Sequence, residues 1–309
     1  MDRPLRVLVI GCGSLGLLYA VRLSSGGCSV VLKCRREEQV EAINTYGVRV
    51  KHPGGGLEEA RITAVLQPPW GQFDVVLVAT KAYDFPAALP EAINASRRDG
   101  LIVSLQNGLG CLEELEERVG AERSAAAVTY YASMRVSDNT VLFMGGTRVV
   151  LGQRSRRRHP LLGALADALR RGGWRAEVVD DIDAWRWDKL IVNAAINPVT
   201  AILGVPNGKL LASSHALQLC RCIIGEAVEV AEKAGVRLPR DPYKAFIETV
   251  KATRGNRSSM LQDIEARRRT EIDYINGALI AIATRMKMAL PCNSIVYTLV
   301  KALEEVLTR

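Results

Sequence analysis

Aromatic residues and histidine are scarce in this sequence, and their scarcity limits what the protein can bind. Only 5% of the 309 residues are aromatic, which leaves few side chains on which bases could stack. The net charge of +8 would suit nucleic acid, but the basic run at 154–159 has no interleaved aromatics and precedes Pro160. We therefore expect no nucleic-acid partner, and the basic balance favours an anionic cofactor and an anionic small-molecule substrate.

Metal-binding spacings and membrane-spanning runs are absent too. The seven cysteines are scattered without a CxxC pair, and the three histidines do not have zinc-ligand spacing. The apolar stretch near the start is interrupted by glycines, which is typical of a strand and a helix, not of a signal peptide or a membrane span. These features predict no metal, no membrane, reduced thiols and a cytoplasmic location, with Cys220 and Cys222 as buried packing residues.

A chain of this length can form two domains. Short apolar runs alternate with helical stretches up to about residue 182, and helical periodicity alone follows. We predict an α/β Rossmann-type domain over 1–182, an all-α domain over 183–309, and an active site in the cleft between them. Two strands are expected between 125 and 151, with 143–146 (FMGG) as their hairpin turn.

A glycine-rich turn follows the first predicted strand, at 5–10. It reads GCGSLG, a GxGxxG between a strand and a helix. Gly11 would allow the tight turn, Gly13 the close approach of a pyrophosphate, and Gly16 the packing of helix on strand. The helix N-terminus would offer N–H groups and a positive dipole end to the phosphates. The pattern predicts a dinucleotide site formed by Gly11, Cys12, Gly13, Ser14, Leu15 and Gly16.

Cations follow the next strand, at 28–32. An enzyme that selects NAD usually carries an acid here for the ribose 2′-OH, but this chain has Lys33, Arg35 and Arg36 before its first acid, Glu37. A guanidinium fork suits a 2′-phosphate, so the sequence favours NADPH/NADP+. Either arginine could hold the phosphate with help from Lys33, and a solvated basic loop is the alternative.

Two polar residues stand at the ends of later strands. Lys81 follows the strand at 73–79, and Asn107 follows the strand at 101–105. Ligands of open α/β sheets bind outside the carboxyl ends of the strands, so both residues are expected near cofactor and substrate. A solvent-exposed lysine and a turn asparagine are the alternatives.

The stretch at 185–198, WRWDKLIVNAAINP, combines a polar stripe with an apolar helix. Lys189, Asn193 and Asn197 are spaced i, i+4 and i+8, so they lie on one helical face. Buried amides and an ammonium need polar partners, and a ligand would supply them. The stripe therefore predicts a cavity lining, although a structural polar ladder with Lys189 reaching solvent would give the same pattern.

Six motifs together resemble the ketopantoate reductase (2-dehydropantoate 2-reductase) family: GCGSLG, ATKAYD, LQNGLG, KLIVNAAINPVTAI, PNGKL and SSMLQDIEARRRTEIDYING. They cover the chain from Gly11 to Gly277 in the expected order. The resemblance implies a Rossmann domain followed by a helical domain, NADPH as cofactor, ketopantoate as substrate and a homodimer.

The same resemblance implies roles for individual residues. Lys189 corresponds to the proton donor to the substrate carbonyl oxygen, and Glu271 to the carboxylate beside the nicotinamide ribose and the lysine. Ser259 corresponds to the serine that holds the substrate carboxylate, and Asn107 to a residue that touches both ligands. The remaining correspondences are substrate contacts at Asn193, Asn197 and Asn207, and cofactor contacts at Arg35 and Lys81.

The chemistry of a 2-keto acid reductase accounts for these residue types. Hydride transfer builds negative charge on the carbonyl oxygen, which a lysine ammonium can stabilise and protonate. Desolvation should lower the pKa of Lys189, and a nearby Glu271 should raise it. A reductase of another branched 2-keto acid and a non-catalytic NADPH-binding regulator are the two alternatives.

Overall fold

The computed structural model describes residues 3–307, which form two compact units. The first unit contains the chain up to Gln106 together with Cys111–Ile182, and the second contains Asn107–Gly110 and the chain from Asp183 onward. The first unit is α/β and the second is helical, so the predicted fold classes are confirmed. The four residues at 107–110, predicted as part of the first domain, belong to the second unit.

One sheet forms the centre of the first unit, and its strands follow the order β4-β3-β9-β8-β7-β6-β1-β2-β5, with β10 beside β9. The strands are β1 Arg6–Ile10, β2 Ser29–Lys33, β3 Val48–Lys51, β4 Leu57–Ala60, β5 Thr63–Val65, β6 Phe73–Val78, β7 Ser96–Ser104, β8 Ser124–Arg135, β9 Thr140–Gly152 and β10 Ala176–Val179. The run β7-β6-β1-β2-β5 is parallel throughout. The loops after these strands therefore leave from one edge of the sheet.

Helices cover the parallel strands of this unit. They are α1 Ser14–Ser25, α2 Glu37–Tyr46, α3 Phe85–Ala95, α4 Cys111–Val119 and α5 Pro160–Arg171. Every residue of β6 is buried, and every residue of its sequence except Asp74 is apolar. A strand that is apolar on both faces needs a helical layer on each side, so the sequence of β6 itself indicates this architecture.

The predicted hairpin turn at 143–146 is wrong. Gly145 and Gly146 lie inside β9, and the chain reverses at 136–139, where the Val136 N–H donates to Thr140 O at 2.9 Å. The register of β8 against β9 shifts beside Tyr131, which pairs with Gly146. A Cβ on Gly146 would lie 2.4 Å from Tyr131 Cα, so this glycine permits a close approach of two strands.

Six helices of the described chain build the second unit. They are α6 Ile182–Leu203, α7 Ser214–Lys233, α8 Pro242–Ala252, α9 Ser259–Glu265, α10 Asn276–Arg285 and α11 Pro291–Leu307, with 3₁₀ turns at Asn207–Ala212 and Ile272–Tyr274. The apolar residues of α6 between the stripe positions are buried, among them Ile191, Ala194 and Ala195. Within the described residues, no helix is both long and apolar enough to cross a membrane.

The prediction of reduced thiols is wrong for four of the seven cysteines. Cys12 is bonded to Cys34, and Cys222, which is exposed, is bonded to Cys292. Separations of 22 and 70 residues carry no local signal, so sequence spacing did not reveal either pair. The fold brings Cys12 and Cys34 together because they follow β1 and β2, which pair in register at Ile10 and Lys33.

We expect the Cys12–Cys34 disulfide to stabilise the first unit. Its 22-residue separation corresponds to about 3 kcal/mol in the chain-entropy account of disulfides. The variant Cys12→Ser/Cys34→Ser should therefore lose roughly that amount of unfolding free energy in urea denaturation without reductant. Cys28→Ala, which leaves both disulfides intact, is the control for loss of a buried sulfur. A double variant as stable as Cys28→Ala would contradict the expectation.

Candidate active site

The glycine turn after β1 has the geometry that a dinucleotide site requires. Gly11 has φ of 108°, and a Cβ there would lie 2.9 Å from the backbone of Ala79 and Thr80. A Cβ on Gly16 would lie 1.9 Å from Gly11 O, so this position must be glycine for α1 to pack closely. A Cβ on Gly13 would meet no protein atom within 4 Å. Gly13 therefore faces open space, where a phosphate can approach the backbone.

The N-terminus of α1 suits an anion. Its N-cap residue is Gly13, no side chain caps it, and no acidic residue lies in its first turn. The first N–H groups of such a helix remain available to a phosphate. Gln39 Nε2 donates to Cys12 O at 2.9 Å and, with the Cys12–Cys34 disulfide, fixes the turn. These residues fit a dinucleotide pyrophosphate.

The cations after β2 differ in their availability to a ligand. Lys33 Nζ lies 2.9 Å from Glu91, and Arg36 forms an ion pair with Asp138. Arg35 is exposed and has no hydrogen bond or ion pair within residues 3–307. Of the alternatives left open by the sequence, Arg35 is thus the cation best able to bind a 2′-phosphate.

Lys81 lies in the loop after β6, as the sequence predicts. It is partly buried, and its backbone carbonyl accepts a hydrogen bond from the Asp84 N–H at 3.0 Å. This bond belongs to the 3₁₀ turn Ala82–Asp84 that leads into α3. The residue is therefore fixed at the same sheet edge as the glycine turn.

In the second unit, Lys189, Asn193 and Asn197 lie on one face of helix α6. Lys189 and Asn193 are partly buried, whereas Asn197 is only 5% exposed. The side-chain amides of the two asparagines form no hydrogen bond within residues 3–307. Both amides can therefore donate to and accept from a ligand, so a polar ligand fits this stripe better than an apolar one does.

Glu271 is buried and lies close to Asn107. Asn107 Nδ2 donates to Glu271 Oε2 at 3.3 Å. The backbone fixes this pair, because the Leu109 N–H donates to Tyr274 O at 3.0 Å. A Cβ on Gly108 would lie 2.0 Å from Tyr274 O, so only glycine permits the close approach of these two segments. This contact explains why 107–110 belongs to the second unit.

The pKa of Lys189 is perturbed by its surroundings. Desolvation by burial lowers the pKa of Lys189 to about 8, while the negative charge of Glu271 raises it. Desolvation is the larger of the two effects, as expected for an ammonium that is shielded from water. A lysine with this pKa gives up its proton at lower pH than an ordinary lysine does, which suits a general acid.

Asn207 and Ser259 lie in the second unit on separate segments. Asn207 Nδ2 donates to Thr253 Oγ1 at 2.9 Å, and the buried Asn207 Oδ1 has no hydrogen-bond partner among the described residues. Ser259 is exposed at the start of α9, after the N-cap Ser258. The unpaired Oδ1 is an acceptor suited to a ligand hydroxyl.

The sequence did not reveal the residues that hold Glu271 in place. Glu304 Oε1 accepts a hydrogen bond from the Thr270 N–H at 2.6 Å, and Thr270 Oγ1 accepts one from the Ile272 N–H at 3.2 Å. Glu304 is on α11, 33 positions beyond the carboxylate that it helps to orient. No local pattern marks such a contact.

One cluster in the described chain has the composition of a metal site, namely Cys222, Glu226 and Cys292. Its two sulfur atoms are bonded to each other, and a disulfide offers no thiolate to a metal. The carboxylate of Glu226 accepts hydrogen bonds from the N–H groups of Cys292 and Asn293 at 2.8 and 3.0 Å. The cluster therefore joins α7 to α11.

Comparison with known proteins shows the family to which this chain belongs. The family model for ketopantoate reductase PanE/ApbA matches residues 7–156, and the model for its C-terminal part matches 181–304. A 2-dehydropantoate 2-reductase of Pyrococcus horikoshii is 32% identical over 97% of this chain and 98% of its own length. The crystal structure of 2-dehydropantoate 2-reductase from Geobacter metallireducens is 30% identical, with a TM-score of 0.88 over 96% of this chain and 99% of that one.

A D-mandelate dehydrogenase structure with NADH is also similar, with a TM-score of 0.90 and 26% identity over 99% of this chain and 100% of that chain. A glycine turn at an uncapped helix and a lysine–carboxylate pair are features of a nucleotide-dependent oxidoreductase. The chain belongs to the ketopantoate reductase family PanE/ApbA.

Alanine at the second and third glycines of the turn should separate binding from folding. Gly13→Ala has room for its methyl group and a compatible φ of −76°, so it should fold normally while dinucleotide affinity falls roughly tenfold. Gly16→Ala forces an atom onto Gly11 O and should lower the unfolding free energy by about 1–3 kcal/mol. Fluorescence titration and urea denaturation measure the two effects. Equal losses of stability in both variants would contradict this assignment.

Proposed function

We propose that this protein reduces 2-dehydropantoate (ketopantoate) to (R)-pantoate with NADPH, a step of pantothenate and coenzyme A biosynthesis. The observation that carries the proposal is the Lys189–Glu271 pair, in which burial lowers the pKa of the lysine to about 8 in a chain of the ketopantoate reductase family. The 2-dehydropantoate 2-reductase relatives match nearly the whole chain, which supports the same substrate.

We assign the dinucleotide to residues 1–182 and the substrate to 183–309 with Asn107. NADPH, when bound, supplies the hydride. The turn at 11–16 would hold the pyrophosphate on the N-terminus of α1. Arg35 would hold the 2′-phosphate, because Lys33 and Arg36 already have acidic partners. Lys81 would add a phosphate contact at the same edge.

Lys189 would act on the carbonyl oxygen of the substrate. Its ammonium stabilises the negative charge that develops on that oxygen and then transfers a proton from Nζ to it. Glu271 keeps the lysine protonated before the reaction, because its negative charge opposes the effect of desolvation. Asn107 donates to Glu271 and would hold this carboxylate toward the nicotinamide ribose.

The asparagines would give the substrate its specificity. Ketopantoate differs from simpler branched 2-keto acids by a primary hydroxyl, and an amide can both donate to and accept from a hydroxyl. Asn193 and Asn197 would bind polar groups of the substrate along α6, and Asn207 would offer its unpaired Oδ1. Ser259 would donate to the carboxylate. A substrate without the hydroxyl would leave a buried amide unpaired and would be rejected.

A second candidate is an NADH-dependent 2-hydroxy acid dehydrogenase. It is favoured by the similarity to D-mandelate dehydrogenase with NADH, a likeness of TM-score 0.90. The cations around Arg35 favour the first candidate on the cofactor side. The homodimer remains a prediction from the family resemblance, and the cytoplasmic location remains a prediction from the sequence.

Initial rates with ketopantoate, ketoisovalerate and phenylglyoxylate, each with NADPH and NADH, test the proposal. We expect the highest kcat/KM with ketopantoate and NADPH.

Lys189→Ala should lower kcat by about 10²–10⁴, the usual contribution of a general acid. Arg35→Ala should raise the KM for NADPH and not for NADH, and Arg36→Ala is the matched control. Preference for phenylglyoxylate with NADH would support the second candidate, and tight NADPH binding without turnover of any keto acid would support a regulator.

The pH profile of the reduction should report the lysine. Because Lys189 must be protonated to act as an acid, kcat/KM should be level at low pH and fall above about pH 8, the pKa of this lysine. Glu271→Gln removes the charge that raises the pKa of Lys189, so the descending limb should move to lower pH. Asp273→Asn, which changes a carboxylate elsewhere in the same segment, is the control. An unchanged profile in Glu271→Gln would contradict the pairing.

A further inference from the structure

Pro198 interrupts the hydrogen bonding of α6 within its predicted substrate-binding face. A proline has no N–H, so it cannot donate to the carbonyl four residues earlier in a helix. That carbonyl belongs to Ala194. Ala194 follows Asn193, and Pro198 follows Asn197, so the missing bond lies between the two asparagines. A hydrogen bond that replaces the missing one would therefore fix the position of Asn193 relative to Asn197.

Asn276 supplies the replacement bond from α10. Its Nδ2 donates to Ala194 O at 3.1 Å, and its side chain is completely buried. The same nitrogen donates its second N–H to Asn293 Oδ1 at 3.0 Å. Both donors of the amide are therefore used, whereas Asn276 Oδ1 has no partner within the described chain. A flipped amide would bring Oδ1 against two other acceptor oxygens, which determines its orientation.

The next residues of this network fix the orientation of Asn276. Asn293 Nδ2 donates to Glu226 Oε2 at 2.8 Å and to Ile223 O at 3.2 Å. Asn293 is also fully buried, and Glu226 is tied to the start of α11 by two backbone N–H groups. The amide that reaches Ala194 is thus held by α7 and α11, and it cannot move without breaking buried hydrogen bonds.

The other side of the proline is fixed separately. The hydroxyl oxygen of Thr200 lies 2.7 Å from Ile196 O, 3.1 Å from Asn197 O and 2.8 Å from Ser258 Oγ. Ser258 is the N-cap of α9, whose first residue is Ser259. The segment beyond Pro198 is therefore tied to α9, and Asn276 is the residue that ties the preceding turn to the rest of the unit.

We propose that Asn276 is a positioning residue for the reduction: by replacing the hydrogen bond that Pro198 removes, it fixes the geometry of Asn193 and Asn197 toward the keto acid. The identity of the substrate rests on the proposed function. Asn276 itself acts only through α6, and it is one residue before Gly277, at the end of the motif that resembles the family.

A double-mutant cycle between Asn276 and Pro198 tests this role. Asn276→Leu removes the donor at similar volume and should lower kcat/KM for the keto acid about tenfold, mainly through KM. The KM for NADPH should stay unchanged, since we assign the cofactor to the first unit. Pro198→Ala restores the backbone N–H to Ala194 O and should be close to wild type alone. The double variant Asn276→Leu/Pro198→Ala should recover a large part of the lost kcat/KM, although Asn293 Oδ1 still lacks the donor that Asn276 supplied.

Pro90, the proline inside α3, provides the matched control. Asn276→Leu/Pro90→Ala should be no better than Asn276→Leu alone. If Asn276→Leu does not fold, the double variant with Pro198→Ala should still fold and turn over. A double variant that also fails to fold would then overturn the inference. Unchanged kinetics in Asn276→Leu, or a loss that Pro198→Ala does not restore, would overturn the inference.

Hydrogen exchange separates this inference from the proposed function. If the wild-type protein does not reduce ketopantoate, the proposed function fails, and the backbone amides of 199–203 are then measured in the same four proteins. Faster exchange in Asn276→Leu that returns to the wild-type rate in the double variant with Pro198→Ala would support the hydrogen-bond replacement. Equal exchange in all four proteins would overturn it.

Discussion

The protonation of Lys189 is the constraint on which the proposed reaction depends. An ammonium loses hydration when it is buried, and here that loss lowers its pKa to about 8 despite the opposing charge of Glu271. In the proposed reaction, the lysine serves as an acid only while these two effects remain in balance. Three contacts hold Glu271 in place: Asn107 on its carboxylate, the Glu304 bond to the preceding N–H, and the close approach of Gly108 to Tyr274 O.

Much of the fold and part of the site could be predicted because the responsible patterns are local. The apolar run of β6 indicates a strand covered on both faces, and all of it is buried. In the glycine turn, Gly11 and Gly16 have no room for a side chain, while Gly13 faces open space. Helical spacing placed the lysine and two asparagines of α6 on one face. In each case, the information lies within a few residues of the position concerned.

The features that sequence missed depend on contacts between distant segments. Neither disulfide could be predicted, because the pairing of Cys12 with Cys34 follows from the order of strands and not from their spacing. The glycines of β9 look like a turn by composition, although their role is a close contact with β8. The contact of Asn276 with Ala194 has no local sequence signal, since the two residues are 82 positions apart.

The most direct test of this account is the pKa of Lys189 itself, followed by NMR of protein labelled at lysine Nζ, with Lys189→Met to assign the signal. We predict a midpoint near 8, well below the ordinary value for lysine, and a lower midpoint in Glu271→Gln. A midpoint at the ordinary value, unaffected by Glu271→Gln, would mean that the ammonium is neither desolvated nor coupled to the carboxylate. The assignment of Lys189 as the tuned proton donor would then be wrong.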